Sequence, residues 1–221
     1  MARIARIVIP HVPHHVTQRG NRRLPTFFEE SDYAAYLAYL ADACAKTGTE
    51  LWAYCLMPNH VHLLLVPKAE DGLRATLGEA HRRYTRMINF RENWRGHLWQ
   101  ERFASFPTDD KHLLNAARYI ELNPVRANLA ASAEDYAWSS ARAHLNNYSD
   151  PLLKTDKLLA LMPNWREFLA GGLNENDIKT IRRHEGTGRP LGNPSFIACI
   201  EEVLGRTLAP KKPGRKPKSG Q

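Results

Sequence analysis

Residues 57–66, Met57-Pro58-Asn59-His60-Val61-His62-Leu63-Leu64-Leu65-Val66, restrict what this chain can fold into more than any other stretch. Pro58-Asn59 is a turn signal, and the apolar run behind it reads as a buried strand leaving a tight turn. The preceding run, 50–57, supplies a hairpin partner. Side chains alternate faces along a strand, so His60 and His62 share one face and Val61 takes the other. Two imidazoles on one face at a strand's start can hold one metal ion. The same spacing also suits a hydrogen-bonded pair near a sheet edge, and the tripeptide alone does not separate the two.

A second constellation lies about sixty residues on. Residues 109–123 read as a helix capped by Thr108 or Asp109, with acids in its first turn and Pro124 stopping or kinking its end. Leu113, Leu114, Ala117 and Ile120 form its apolar stripe. Tyr119 and Asn123, four apart, stack on a flanking stripe. A phenol one turn from an amide oxygen suits a nucleophile beside a metal ligand. The alternative is an amphipathic tyrosine with a packed ring and a wet hydroxyl. Tyr84 is the competing candidate. In the helix 72–88 it sits at the centre of a stripe of Leu73, Leu77, Ala80, Met87 and Ile88, which marks it as core, and its i+4 partner is Ile88.

A strand with His-hydrophobe-His and a later helix with Tyr-x-x-x-Asn resemble the single-tyrosine transposases of the His-hydrophobe-His nuclease superfamily. The branch most resembled is the one associated with repetitive extragenic palindromes (REP). Four ordered blocks carry the likeness: residues 15–23 (His-Val-Thr-Gln-Arg-Gly-Asn-Arg-Arg), 57–64, 96–103 (Gly-His-Leu-Trp-Gln-Glu-Arg-Phe) and 119–126 (Tyr-Ile-Glu-Leu-Asn-Pro-Val-Arg). Together they span roughly Ile7 to Leu145. The resemblance implies cleavage and transfer of hairpin-bearing single-stranded DNA. Tyr119 would attack to give a 5′-phosphotyrosine and a free 3′-hydroxyl, with a divalent cation on His60, His62 and Asn123. Imidazole and oxygen ligands with open positions suit Mg²⁺ or Mn²⁺, and Mn²⁺ is the better match for histidine. His112 lies two helical turns before Tyr119, too far to act as its base, so no general base is evident.

Charge agrees with a nucleic-acid partner only locally. The chain of 221 residues carries a net +8, but six cations and no acid fall in 206–221. The other 205 residues hold 25 cations against 23 acids, a net +2. Within that body Arg19, Arg22 and Arg23 flank a turn, and Arg82, Arg83 and Arg86 lie opposite the Tyr84 stripe. With Arg102 and Arg126 they are candidate phosphate contacts or, equally, a solvated face. Trp99 and Phe103 suit either base stacking or the core. In the tail, Lys211, Lys212, Arg215 and Lys216 suit a sequence-blind tether to DNA. Three scattered cysteines fit a reducing cytosol rather than disulfides or zinc. No apolar run is long enough for a membrane span, and no secretory leader is read at the N-terminus.

The element order expected is strand 12–19, helix 31–46 capped by Ser31 or Asp32, hairpin 50–57/60–67, helix 72–88, strand 97–107, and the Tyr119 helix. This is an α+β, ferredoxin-like βαββαβ pattern with an antiparallel sheet and helices on one face. Residues 1–145 form the nuclease domain and 146–208 a helical C-terminal extension suited to recognising a DNA hairpin. Residues 209–221 form a disordered basic tail. Helices are expected over 135–146, 165–170, 175–185 and 195–205. The protein would act as a monomer or homodimer. Two other functions remain open on the residues alone: a non-catalytic DNA-binding regulator on this scaffold, and a metal-dependent phosphoesterase using water.

Overall fold

In the computed structural model, which describes residues 5–146, 148 and 150–208, the Pro58-Asn59 turn joins β2 (Glu50–Met57) to β3 (His60–Val66). β1 (His14–Arg19) pairs with the free side of β3, and β4 (Ala104–Pro107) pairs with β1. The sheet order is β2-β3-β1-β4, with every neighbour antiparallel. Helix α1 (Glu30–Thr47) links β1 to β2, and α2 (Gly72–Arg91) links β3 to β4. The expected βαββαβ order is therefore the one formed.

The period of two along β3 divides the core between the two faces of the sheet. Val61, Leu63 and Leu65 pack with Tyr36, Leu40, Leu73, Leu77 and Tyr84 from α1 and α2. Leu64 faces the other way with Ala53, Cys55 and Met57, against Leu113, Ala117 and Ile120 of α3 (Asp110–Glu121). The helices of the split pattern thus share one face as expected, while the Tyr119 helix covers the opposite one.

Several boundaries differ from expectation for local reasons. The cap of α1 is Glu29, because the Asp32 carboxylate accepts the Phe28 and Glu29 N–H groups and closes a capping box. Extended pairing before β4 starts only at Ala104, since Glu101 takes a left-handed φ of 53°. The long helix stops at Glu121, and α4 (Asn123–Arg126) restarts around Pro124, so the proline breaks the run where its missing N–H requires. Residues 133–135 form one 3-10 turn before α5 (Ala141–Asn146), in place of a continuous helix.

The extension continues as α6 (Thr155–Leu161), α7 (Trp165–Ala170), α8 (Glu175–Thr187) and α9 (Pro194–Leu204). Helix α6 was not anticipated. These helices pack directly on the sheet domain. Leu158, Trp165, Phe168 and Leu169 complete the α3 core. Ile181 and Leu191 cover Phe106 and Tyr119. Ile200 and Leu208 close over Ile7 and Ile9. One buried carboxylate anchors the arrangement: Glu121 accepts hydrogen bonds from Ser140 Oγ (2.6 Å), the His144 ring (2.6 Å) and Trp165 Nε1 (2.7 Å). Such a carboxylate is tolerated because its oxygens are engaged by donors. No helix among the described residues is long and apolar enough to cross a membrane. The tail 209–221 lies outside the described residues.

Candidate active site

The face of the sheet beneath α3 carries the polar site. The register pairs Arg19 with His60 and Thr17 with His62, which sets His15, two residues back on β1, diagonally beside His62. His15 Nε2 and His62 Nδ1 are 3.1 Å apart and hydrogen-bonded. Glu185, near the end of α8, brings Oε1 to 3.6 Å from His62 Nδ1 and 3.8 Å from His15 Nε2. A point equidistant from these three atoms lies about 2.0 Å from each, the usual bond length from a first-row divalent cation to nitrogen or carboxylate oxygen. Glu185 Oε1 and His15 Nδ1 are buried without a hydrogen-bond partner. An orphaned buried carboxylate oxygen calls for a compensating charge, so the donor set fits a metal ion.

Burial tunes these groups in the same direction. It lowers His15 to about 3, with Arg126 adding to the effect, and His60 to about 3, with Arg19 adding. His62 is held well below 6.5 by burial and then by His60, His15 and two arginines. All three imidazoles are therefore neutral near pH 7, the form that binds metal. Burial raises Glu185 to about 7 against the pull of Arg19, Arg182 and Arg126. A bound cation would favour its charged form.

Tyr119 projects from α3 onto this cluster. Its ring centroid lies 5.7 Å from His62 and 5.9 Å from His15, edge to face. The Arg126 guanidinium sits 4.0 Å over the ring and donates to the Tyr119 carbonyl oxygen, and Arg182 of α8 interacts electrostatically with the Tyr119 side chain. The alternative of an amphipathic tyrosine on an open flank is not what forms. Tyr119 is only 4% exposed, because the extension lies over that flank through Ile181 and Leu191.

The structure gathers the other expected ligands without merging them into one set. The rings of His60 and His62 meet at 4.9 Å, while His60 Nδ1 bonds the Asn59 side chain at 2.6 Å. Asn123 is buried one turn from Tyr119. Its Oδ1 accepts from Arg126 Nη2, and its Nδ2 has no partner among the described residues. His60 is thus not part of the His15–His62–Glu185 group, and the Asn123 oxygen is taken by Arg126. Sequence reasoning missed His15 and Glu185. The doubled histidine at the start of β1 was a visible signal, but only the register reveals which of the pair faces His62. Glu185 carried no local signal at all.

The arginines expected on DNA separate into groups. Arg19, Arg22 and Arg23 are exposed around the turn after β1, where Arg22 and Arg23 take left-handed φ values. Arg83 is tied down by Asp42 at 2.7 Å and by the ring of Tyr39, whereas Arg82, Arg86 and Arg102 line a separate cleft. Arg126 belongs to the Tyr119 site. Lys211, Lys212, Arg215 and Lys216 lie outside the described residues. Trp99 is a buried member of the core, and Phe103 packs partly against it.

A four-stranded split-βαβ sheet with a histidine pair under a tyrosine-bearing helix is the architecture of single-tyrosine transposases, as the sequence resemblance implied. The family described as Transposase IS200 like matches residues 9–123, more than half of the chain, and the protein belongs to that family. A Haemophilus influenzae protein provisionally named a REP-associated tyrosine transposase is 30% identical over 108 residues, covering 44% of this chain and 61% of its own length. This chain therefore spans about three-fifths of that relative. The solved structure of a REP-associated tyrosine transposase bound to a REP hairpin shares the fold. It has a TM-score of 0.57 and 19% identity, and the match covers 69% of this chain and 90% of that one.

Proposed function

We propose that this protein cleaves and rejoins single-stranded DNA at hairpin-forming repetitive palindromes, with Tyr119 as the nucleophile. The observation that carries this reading is the placement of Tyr119: a phenol within 6 Å of the His15 and His62 rings, between Arg126 and Arg182, on the face that also bears His60. The hairpin substrate is carried over from the relatives' names and from the family.

In the cleavage step the Tyr119 hydroxyl oxygen attacks phosphorus, the bond to the 3′-oxygen breaks, and the phenolic proton ends on the released 3′-hydroxyl. Energy stays in the new phosphotyrosine ester, so attack by a 3′-hydroxyl rejoins strands without a nucleotide cofactor. The guanidiniums of Arg126 and Arg182 oppose the charge of the scissile phosphate beside the nucleophile. The closed surroundings of Tyr119 limit attack by water on the ester.

His62 is common to both ligand sets, so a divalent cation would be held by His62 with either His15 and Glu185 or His60 and Asn123. Mg²⁺ or Mn²⁺ there would polarise the phosphate and stabilise charge on the leaving oxygen. Calorimetry separates the sets. His62→Ala should abolish Mn²⁺ binding in either case. Glu185→Gln should weaken it by about 10-fold or more if the first set is correct, and Asn123→Ala should do so if the second is.

The activity test incubates the protein with Mn²⁺ and a labelled, hairpin-bearing single strand from the repeats beside its own gene. A denaturation-resistant protein–DNA adduct, absent in Tyr119→Phe, is expected. Cleavage without an adduct would favour a phosphoesterase using water, and tight binding with neither cleavage nor adduct would favour a regulator.

A further inference from the structure

A large cleft lies on the opposite side of the sheet from Tyr119, between α2 and the irregular segment that precedes β4. It measures about 970 Å³, at the upper end of the range for small-molecule sites. Its lining carries five guanidiniums (Arg6, Arg74, Arg82, Arg86 and Arg102) against one carboxylate, Glu101. Arg82 and Arg74 pair with Glu79 and Asp71, but Arg86 and Arg102 have no ion pair among the described residues. Two exposed aromatic rings line the same cleft, Phe90 and Trp94, the latter edge-on to Phe28. Phe90 is 90% exposed and Trp94 48%. Scattered exposed apolar side chains need no explanation, but two large rings in one cationic cleft form a contact surface. The wall also contains Trp99, whose buried Nε1 has no acceptor among the described residues.

Exposed rings beside unpaired guanidiniums are the chemistry that holds unpaired bases. The rings offer stacking faces, which paired bases of a duplex cannot use, and the guanidiniums take the phosphates. Arg6, Arg102 and Phe103 line both this cleft and a smaller pocket round the β4 edge, and that pocket is bounded by Glu185. That pocket measures only about 30 Å³, and Arg6 stacks on Phe103 between the two, so the cleft and the Tyr119 site are separate contact regions.

We propose that this cleft seats an unpaired nucleobase of the single-stranded DNA, stacked on Phe90 and Trp94 with its phosphates on Arg86 and Arg102. The proposal rests on single-stranded DNA being the substrate, and it adds a second contact region on the far face of the sheet.

The test uses the full chain and single-stranded oligonucleotides carrying one 5-iodouracil, moved stepwise along the strand, with photocrosslinks mapped by peptide. Crosslinks at Phe90 or Trp94 are expected from one or two adjacent positions. Phe90→Ala and Trp94→Ala should each weaken single-strand binding by about 5- to 100-fold and change duplex binding by less than about two-fold. Phe90→Tyr and Trp94→Phe should restore binding. Both rings are exposed, so circular dichroism should show the alanine variants folded.

Crosslinks confined to other surfaces would overturn the proposal, as would equal losses for single strand and duplex. Crosslinks made by an RNA of the same sequence alone would overturn the DNA assignment. The proposed activity is read separately. A Tyr119 adduct without cleft crosslinks defeats the cleft and keeps the nuclease, whereas cleft crosslinks without an adduct do the reverse.

Discussion

Two tyrosine-bearing helices lie on opposite faces of one sheet, and both tyrosines are buried. Tyr84 of α2 is 0% exposed, surrounded by the rings of Phe27, Tyr36 and Trp99, and its hydroxyl donates to the Thr26 carbonyl oxygen at 2.6 Å. Tyr119 of α3 is almost as enclosed, but its neighbours are His15, His62, Arg126 and Arg182. Burial therefore does not distinguish Tyr84 from Tyr119; the neighbours do. The Tyr84 hydroxyl is satisfied by backbone and held among other aromatic rings, which fixes its geometry. Around Tyr119 an apolar cover of Phe106, Ile181 and Leu191 meets a polar set that includes a carboxylate oxygen and an imidazole nitrogen left without partners.

That contrast breaks most decisively at the hydroxyl of Tyr119. Tyr119→Phe keeps the ring, so adduct formation should fall on the order of 10⁵-fold, the scale of losing a covalent nucleophile, with stability changed by only about 1 kcal/mol. An active Tyr119→Phe and an inactive Tyr84→Phe would reverse the assignment.

Truncating the other ring tests the structural half. Tyr84→Ala should cost about 3–5 kcal/mol in denaturant unfolding, as for other large-to-small aromatic changes in a core. A loss below about 1 kcal/mol would mean that α2 does not depend on this ring.

Acid should act through both faces of the sheet. His15 and His60, each lowered to about 3, share the site face with His62, while His14, lowered to about 4, and His81, lowered to about 3, lie on the Tyr84 face. Folded values lie below the ordinary 6.5, so the unfolded chain takes up these protons first. Stability is complete above about pH 6.5 and is lost as pH falls towards the folded values, by roughly 1 kcal/mol per pH unit for each such histidine. Urea midpoints from pH 7.5 to 5 should show this decline, and His14→Gln should flatten it. A flat profile would show that these imidazoles are not held neutral.

The smallest effect should come from Tyr84→Phe. Loss of one hydrogen bond to Thr26, with the freed carbonyl still buried, should cost about 1–2 kcal/mol and leave cleavage within about two-fold.

The histidine face also shows how legibility varied. Alternation in 60–66 and the Pro58-Asn59 turn foretold the hairpin, and its pairing is the one observed. Tyr84 was legible as core because its apolar stripe repeats with the helical period. Tyr119 was legible as the distinct tyrosine because Asn123 follows one turn later. Its burial was not, because Ile181 and Leu191 come from elements more than sixty residues further along the chain.

What the sequence determined by itself was local in origin: strand and helix periods, turn chemistry, the βαββαβ order, and the motifs that mark the transposase family. These depend on side chains within a few residues of one another, where spacing maps directly onto geometry. Tertiary structure alone decided that His15 reaches His62, that Glu185 of the extension reaches both histidines while Ile181 and Leu191 cover Tyr119, and that the exposed rings of Phe90 and Trp94 share a cleft with Arg86 and Arg102. Each of these depends on strand register or on the docking of distant helices. Those are fixed by summed burial over the whole core, and no single residue carries that information in its local sequence.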